Sequence, residues 1–177
     1  FLFFLKRIVY FDLLYIYKVT SKNLCFIEAK DCTIKKASQE NISDLSYFQN
    51  KKYIQTFKNF LDDGDEGFLG YINNKCVHRQ WIQKHKTINY NQFYNYTLKE
   101  NELYCHYVET APEARGKSIA KLVLASIVKQ YPNKNILLSI QKNNTSSIRF
   151  CEGIGGKLTK KVYIIMILGF NLSFQRN

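Results

Sequence analysis

At 177 residues and 46% apolar, the chain is large enough to bury the core of one globular domain, and two prolines with no Gly/Ser-rich run leave no visible linker. The formal charge of +12 admits a polyanionic partner, but the basic residues are scattered through KKAS, NKKY, QKHK and LTKK with no RNA-binding or helix-turn-helix signature, so nucleic acid is not the expected partner. Five cysteines without CxxC spacing exclude a zinc module or disulfide framework and fit reduced, cytoplasmic thiols; no metal site is expected.

The chain opens on Phe1 rather than Met, which reads as a missing or processed start. FLFFLKRIVYFDLLYIYKV is interrupted by Lys6, Arg7 and Asp12 well short of the ~20 apolar residues of a membrane span. Residues 1–23 are therefore expected as an apolar helix or strand extension, and 24–177 as the domain. NLCFIEAKDCTIKKAS alternates like a strand pair. The spacing of Ile42, Leu45, Phe48, Tyr53, Ile54 and Phe57 predicts helix, capped at Ser38, Gln39 or Asn41. DDGDEG is a turn. FLGYINNKCVHRQWI reads as a hairpin turning at Asn73-Asn74, since Asn tolerates left-handed backbone. KTINYNQFYNYTLKEN is a hairpin loop or part of an acceptor pocket, and NELYCHYVET is a strand. KSIAKLVLASIVKQY is a helix with Ile119, Leu122, Val123, Ser126 and Ile127 on one face; KNILLSIQ is a buried strand, SSIRFCEGIGG a short helix ended by glycines, and KLTKKVYIIMILGF a last strand. This order predicts an α/β domain, a mixed, mostly antiparallel sheet flanked by helices with one strand–helix–strand crossover.

Between the strand ending at Thr110 and the helix lies the turn Arg115-Gly116-Lys117-Ser118-Ile119-Ala120. The first turn of a helix leaves N–H groups unpaired at the positive end of its dipole, and Arg, Lys and a glycine beside it suit a pyrophosphate. With NNTSSIRFCEGIGGK downstream, the segment resembles the central and second motifs of the GCN5-related N-acetyltransferase (GNAT) superfamily. The resemblance implies that acetyl-CoA is a co-substrate. Its pantetheine arm would pair with Val108, Glu109 and Thr110, its pyrophosphate would rest on Arg115, Gly116, Lys117, Ser118, Ile119 and Ala120, and Asn144 would also reach it. Ser118 replaces a Gly of the motif, and its hydroxyl is free to cap the helix if the backbone there is right-handed. Cys151 replaces a Tyr that many relatives use to protonate the leaving thiolate, and stands either as that acid or as a packing residue.

By strand alternation Glu102, Tyr104, His106 and Val108 share a face, with Glu109 on the other. His106 is the leading candidate base because an imidazole titrates near neutrality. Glu102 comes second, and Tyr104 would position water. His78 and Trp81 on the neighbouring strand are candidates to line the acceptor cleft. The expected reaction is direct acetyl transfer to a primary amine of a small molecule or peptide, in a monomer or homodimer. The alternative is a CoA-binding module that no longer catalyses. Acceptor specificity is implied to lie in residues 41–64 and 158–170.

Overall fold

The structure is a computed structural model that describes residues 9–25, 32–85, 87–91, 94–167 and 170–176. Its elements follow local signals. The apolar, β-branched runs form β1 (Val9–Val19), β2 (Thr33–Lys36), β3 (Glu66–Ile72) and β4 (Lys75–Gln83). Asn73 and Asn74 turn β3 into β4 with φ of 48° and 60°, the left-handed pair that a two-residue hairpin needs. Then come β5 (Thr87–Asn91), β6 (Tyr94–Thr97), β7 (Glu102–Thr110), α2 (Ile119–Gln130), β8 (Asn135–Gln141), α3 (Thr145–Gly153), β9 (Lys157–Ile167) and β10 (Phe170–Arg176). The helix expected after residue 38 is broken in two: a 3-10 helix over Ile42–Tyr47, then α1 over Lys51–Asp62. The break has a local cause, because the Asn50 side chain accepts the Tyr53 N–H at 3.1 Å and so starts a fresh helix.

Eight strands form one sheet in the order β10-β9-β1-β8-β7-β4-β3-β2, every neighbouring pair antiparallel except β7 with β8. α2 is the crossover between those parallel strands. Strand β1 lies inside the sheet, hydrogen-bonded to β8 from Leu14↔Gln141 to Val19↔Ile136 and to β9 along its whole length. Residues 9–19 are thus part of the domain and not an extension before it. Their apolar alternation buries Tyr17 and Val19 on one face and Leu14 and Ile16 on the other. Residues 1–8 of the apolar segment, and most of the first strand expected in 23–38, lie outside the described residues.

Two layers cover the sheet. α2 and α3 pack on one face, where Ile119, Val123, Leu124, Ile127, Cys151 and Ile154 join Val19, Leu103, Cys105, Ile136 and Leu138. Gly70 lets α2 approach: a Cβ there would stand 3.1 Å from both Ile119 Cγ2 and His78 Cβ. The 3-10 helix and α1 cover the other face over Leu69, Tyr71 and Trp81, and the β5–β6 hairpin continues that layer with Ile88, Tyr94 and Leu98. The described part of the tyrosine-rich segment is therefore a covering hairpin, with Tyr94 and Tyr96 packed inward. No helix among the described residues is long and apolar enough to cross a membrane.

Candidate active site

Strands β7 and β8 pair over only three positions, Glu102↔Asn135 to Tyr104↔Leu137. Beyond them the ladder stops and a cleft of about 930 Å³ opens, lined by Tyr104 to Val108 of β7 and Leu138 to Ile140 of β8. The chain breaks its own alternation here. Tyr107 has φ of +47°, and β4 registers Trp81 against His106 but Arg79 against Glu109, so β7 fits three steps against two. This bulge is held from beneath by Arg79, which is 4% exposed: Nη1 donates to the Tyr107 carbonyl, Nη2 to Glu109 at 2.5 Å, and the guanidinium lies 4.4 Å over the Phe57 ring. Burial pulls the guanidinium below its usual value, and Glu109 opposes the shift.

His106 lies in the cleft with its ring parallel to Tyr104 at 5.7 Å and against Phe60 at 5.2 Å. Its Nε2 is 3.3 Å from Oδ2 of Asp65, a contact whose angle falls short of a hydrogen bond. The other oxygen of Asp65 is 3.7 Å from Nε2 of His85, at the exposed rim. The Tyr104 hydroxyl shares a hydrogen bond of 2.7 Å with Ser139 Oγ across the opening, and burial pushes it up to about 12, so at neutral pH it is a hydrogen-bonding group and not a base.

A second cavity, about 650 Å³, adjoins the first and shares Val108, Ser147 and Phe150 with it. Its walls are the end of β7, the loop of Ala114 to Ser118, the first turn of α2 and the start of α3. Arg115 Nε donates to the Thr110 carbonyl at 3.2 Å, folding the loop back on the strand. Gly116 and Ser118 are both left-handed, with φ of 79° and 58°, which turns the chain sharply into the helix. Between Arg115, whose N–H bonds Pro112, and Leu122, whose N–H bonds Ser118, the described backbone hydrogen bonds include none from the intervening N–H groups. Those donors and the helix dipole face the cavity, the arrangement that suits a phosphate.

A family model described as the acetyltransferase (GNAT) family matches residues 35–155, well over half of the chain. The chain belongs to the GNAT acetyltransferase family. Solved structures agree on the fold. A conserved protein of unknown function from Staphylococcus epidermidis superposes with a TM-score of 0.66 at 15% identity, covering 92% of this chain and 64% of that one. A GNAT-family acetyltransferase from Colwellia psychrerythraea gives 0.64 at 16%, covering 93% and 57%. An aminoglycoside N-acetyltransferase in complex with CoA gives 0.56 at 14%, covering 72% and 92%. The chain thus spans less than two thirds of the first two. No curated protein matches the sequence.

Within this GNAT fold the expected cofactor residues fall around one cavity: Val108, Glu109, Thr110, Arg115, Gly116, Ser118, Ile119, Ala120 and Asn144 all line it. Asn144 caps α3, its Oδ1 accepting the Ser147 N–H at 3.1 Å, and lines the cavity from there. Lys117 is exposed and lines neither cavity, whereas Lys121, one helical turn on, does. Ser118 makes no side-chain cap, as its left-handed backbone dictates.

The catalytic candidates divide. Tyr104 and His106 face the cleft. Glu102 does not: it accepts the Tyr96 hydroxyl at 2.8 Å and the Lys99 N–H at 3.0 Å, and lines a separate small cavity with Lys18 and Lys160. Cys151 is fully buried in the core beneath α2, lines neither cavity, and its thiol is pushed well above its usual value by burial, the surroundings of a packing side chain. The bulge also corrects two faces. Glu109 shares the face of His106, paired with Arg79, while Val108 turns to the α2 face and meets both cavities. His78 is fully buried under α2, its Nδ1 2.8 Å from Thr110 Oγ1, and Trp81 stacks on Phe57 in the core; neither lines the cleft. Of the segments implied to set specificity, residues 41–64 supply Phe60 and Asp63, and no described residue of 158–170 lines the cleft. Sequence reasoning missed Asp65, hidden in an apparent turn, and Ser147 and Phe150, which a helical count of three and six from Asn144 would have found.

Proposed function

We propose that the chain transfers acetyl from acetyl-CoA to a primary amine within a ternary complex. The observation that carries this reading is the meeting of the two cavities at Val108, Ser147 and Phe150. One offers unpaired backbone donors to a pyrophosphate, the other an imidazole to an amine. Acetyl-CoA, when bound, supplies an activated acyl group. Arg115 to Lys121 would hold its phosphates, and the edge of β7 at Val108 to Thr110 its pantetheine arm. The attacking amine must be neutral, and an amine of pKa about 10.4 is mostly protonated at pH 7. His106 would take its proton, with Tyr104 and Ser139 ordering the water or substrate beside it. The acceptor is a small-molecule or peptide amine entering past Phe60 and Asp63. A second reading, a CoA-binding module without turnover, draws on Cys151, whose burial leaves the second motif without its usual acid.

Thermal unfolding with CoA tests the cofactor half. Ligand at one hundred times its dissociation constant stabilises by about 2.7 kcal/mol. Gly116→Glu is expected to abolish that shift, because it places a carboxylate in the open space of the phosphate loop, where a Cβ meets nothing within 4 Å. Lys117→Ala should change it little. No CoA shift in the folded wild type, or an undiminished one in Gly116→Glu, would refute the assignment. Turnover of acetyl-CoA with spermidine, glucosamine, lysine and an aminoglycoside separates enzyme from module.

A further inference from the structure

Asp65 is the most conspicuous group that the motifs do not explain. It is 7% exposed at the entrance to β3, lines the cleft, and its Oδ1 is enclosed without a hydrogen-bond partner. A buried carboxylate is costly unless a charge or donors compensate it. Among the described residues, its ion contacts are two imidazoles: His106 Nε2 at 3.3 Å and His85 Nε2 at 3.7 Å. The surrounding rings restrict His106 to this contact. Tyr104 lies parallel to it, Phe60 packs against it, and Tyr107 meets it edge-on at 5.5 Å.

We infer that Asp65 is a positioning residue for His106: it fixes the tautomer with hydrogen on Nε2, so that Nδ1 faces the amine as a base, and it stabilises the imidazolium that forms. The inference rests on the acetyl-transfer reading above. It supplies the third member of the pattern in which a base is itself oriented by another group. Proton and bond changes balance. The amine nitrogen bonds to the acetyl carbonyl carbon while its N–H proton passes to Nδ1, the thioester C–S bond breaks, and the proton returns through water to the departing sulfur. Asp65 remains a carboxylate throughout. The long, misaligned contact in the free protein is the kind that tightens when the base becomes charged. His85 reaches the other carboxylate oxygen from the rim, where it is 54% exposed. Among the described residues, the other charged or titratable groups around His106 include Asp63 from the end of α1, Tyr104 and Tyr107 on β7, and the Arg79–Glu109 pair on the same face.

Nitrogen-15 NMR titration of the histidines in the full chain tests this without any acceptor. Wild type is expected to show neutral His106 as the Nε2–H tautomer. Asp65→Asn should let the Nδ1–H tautomer of His106 appear, and His85→Gln, which leaves the Asp65–His106 contact in place, should not. With acetyl-CoA and spermidine as the probe amine, Asp65→Asn should lower kcat about 10- to 100-fold and leave CoA affinity unchanged. An Nδ1–H tautomer in wild type overturns the proposal and needs no variant. So does an Asp65→Asn protein, or Asp65→Ser if Asn fails to fold, in which His106 keeps the Nε2–H tautomer undiminished or kcat is retained. Absence of turnover with every amine in wild type, with the NMR pattern intact, would count against acetyl transfer and leave the Asp65–His106 pairing standing.

Discussion

Ser118→Gly is expected to stabilise the protein, although it deletes a side chain at the start of a helix. Ser118 stands at φ 58° and ψ 15°, its hydroxyl caps nothing, and it is exposed. A residue with a Cβ pays about 1–2 kcal/mol for left-handed backbone. Glycine removes that strain but orders a more flexible unfolded chain, which costs about 0.5–1 kcal/mol. The balance is a gain of about 0.5–1 kcal/mol, or roughly 1–4 °C in Tm for a domain of this size. Urea and thermal unfolding measure it directly. CoA affinity should stay within about twofold, because the donors are peptide N–H groups that the substitution keeps. Ser118→Ala, which retains the Cβ, is the control and should leave stability nearly unchanged. If Ser118→Gly unfolds more easily than wild type while Ser118→Ala does not, the strain argument is wrong.

Cys151→Ala should cost roughly 1–2 kcal/mol of stability and leave turnover within about twofold, while Cys151→Tyr should destabilise more by overpacking a closed core. A 10²–10⁴-fold loss of rate in folded Cys151→Ala would restore its role as an acid. His78 governs acid stability: burial holds its imidazole down at about 4, against an ordinary value near 6.5. Between those values the unfolded chain binds the extra proton, so stability rises with pH, is complete above about 6.5, and is lost as pH falls towards 4. The loss is roughly 3 kcal/mol at most. His78→Gln should flatten the difference between urea midpoints at pH 7 and pH 4.5; an unchanged difference assigns it to other groups.

What could be read from the sequence was what short-range chemistry decides. Asn73-Asn74 dictates its hairpin, and the Gly-containing turn before Ile119 dictates a helix start that faces a cavity. The cavity proposed for the cofactor was legible because the loop that lines it is contiguous in the chain. The acceptor side was not, because its geometry depends on a slip in register. Tyr107 adopts positive φ for the sake of Arg79, a residue 28 positions earlier, and from there every face assigned by alternation is reversed. Asp65 meets His106 only through three strands in register, and no local pattern marks it. Cys151 showed the converse limit: a motif position gives a residue's place in line, not whether its side chain reaches a cavity.

The place of β1 has a consequence for how the chain is made. Its partners are Ile136 to Gln141 and Lys157 to Ile167, so this strand is translated well before the two strands that flank it. At ~5–20 residues per second, the roughly 120 residues that separate Val19 from β8 take on the order of 6–24 s to emerge. Throughout that interval an apolar strand, Leu13 to Val19, has both hydrogen-bonding edges open, the template on which misassembly between nascent chains begins. Moving this strand by circular permutation to follow β10 would turn that wait into a nearly immediate closure. The permuted protein should then refold with less aggregation at the same final stability.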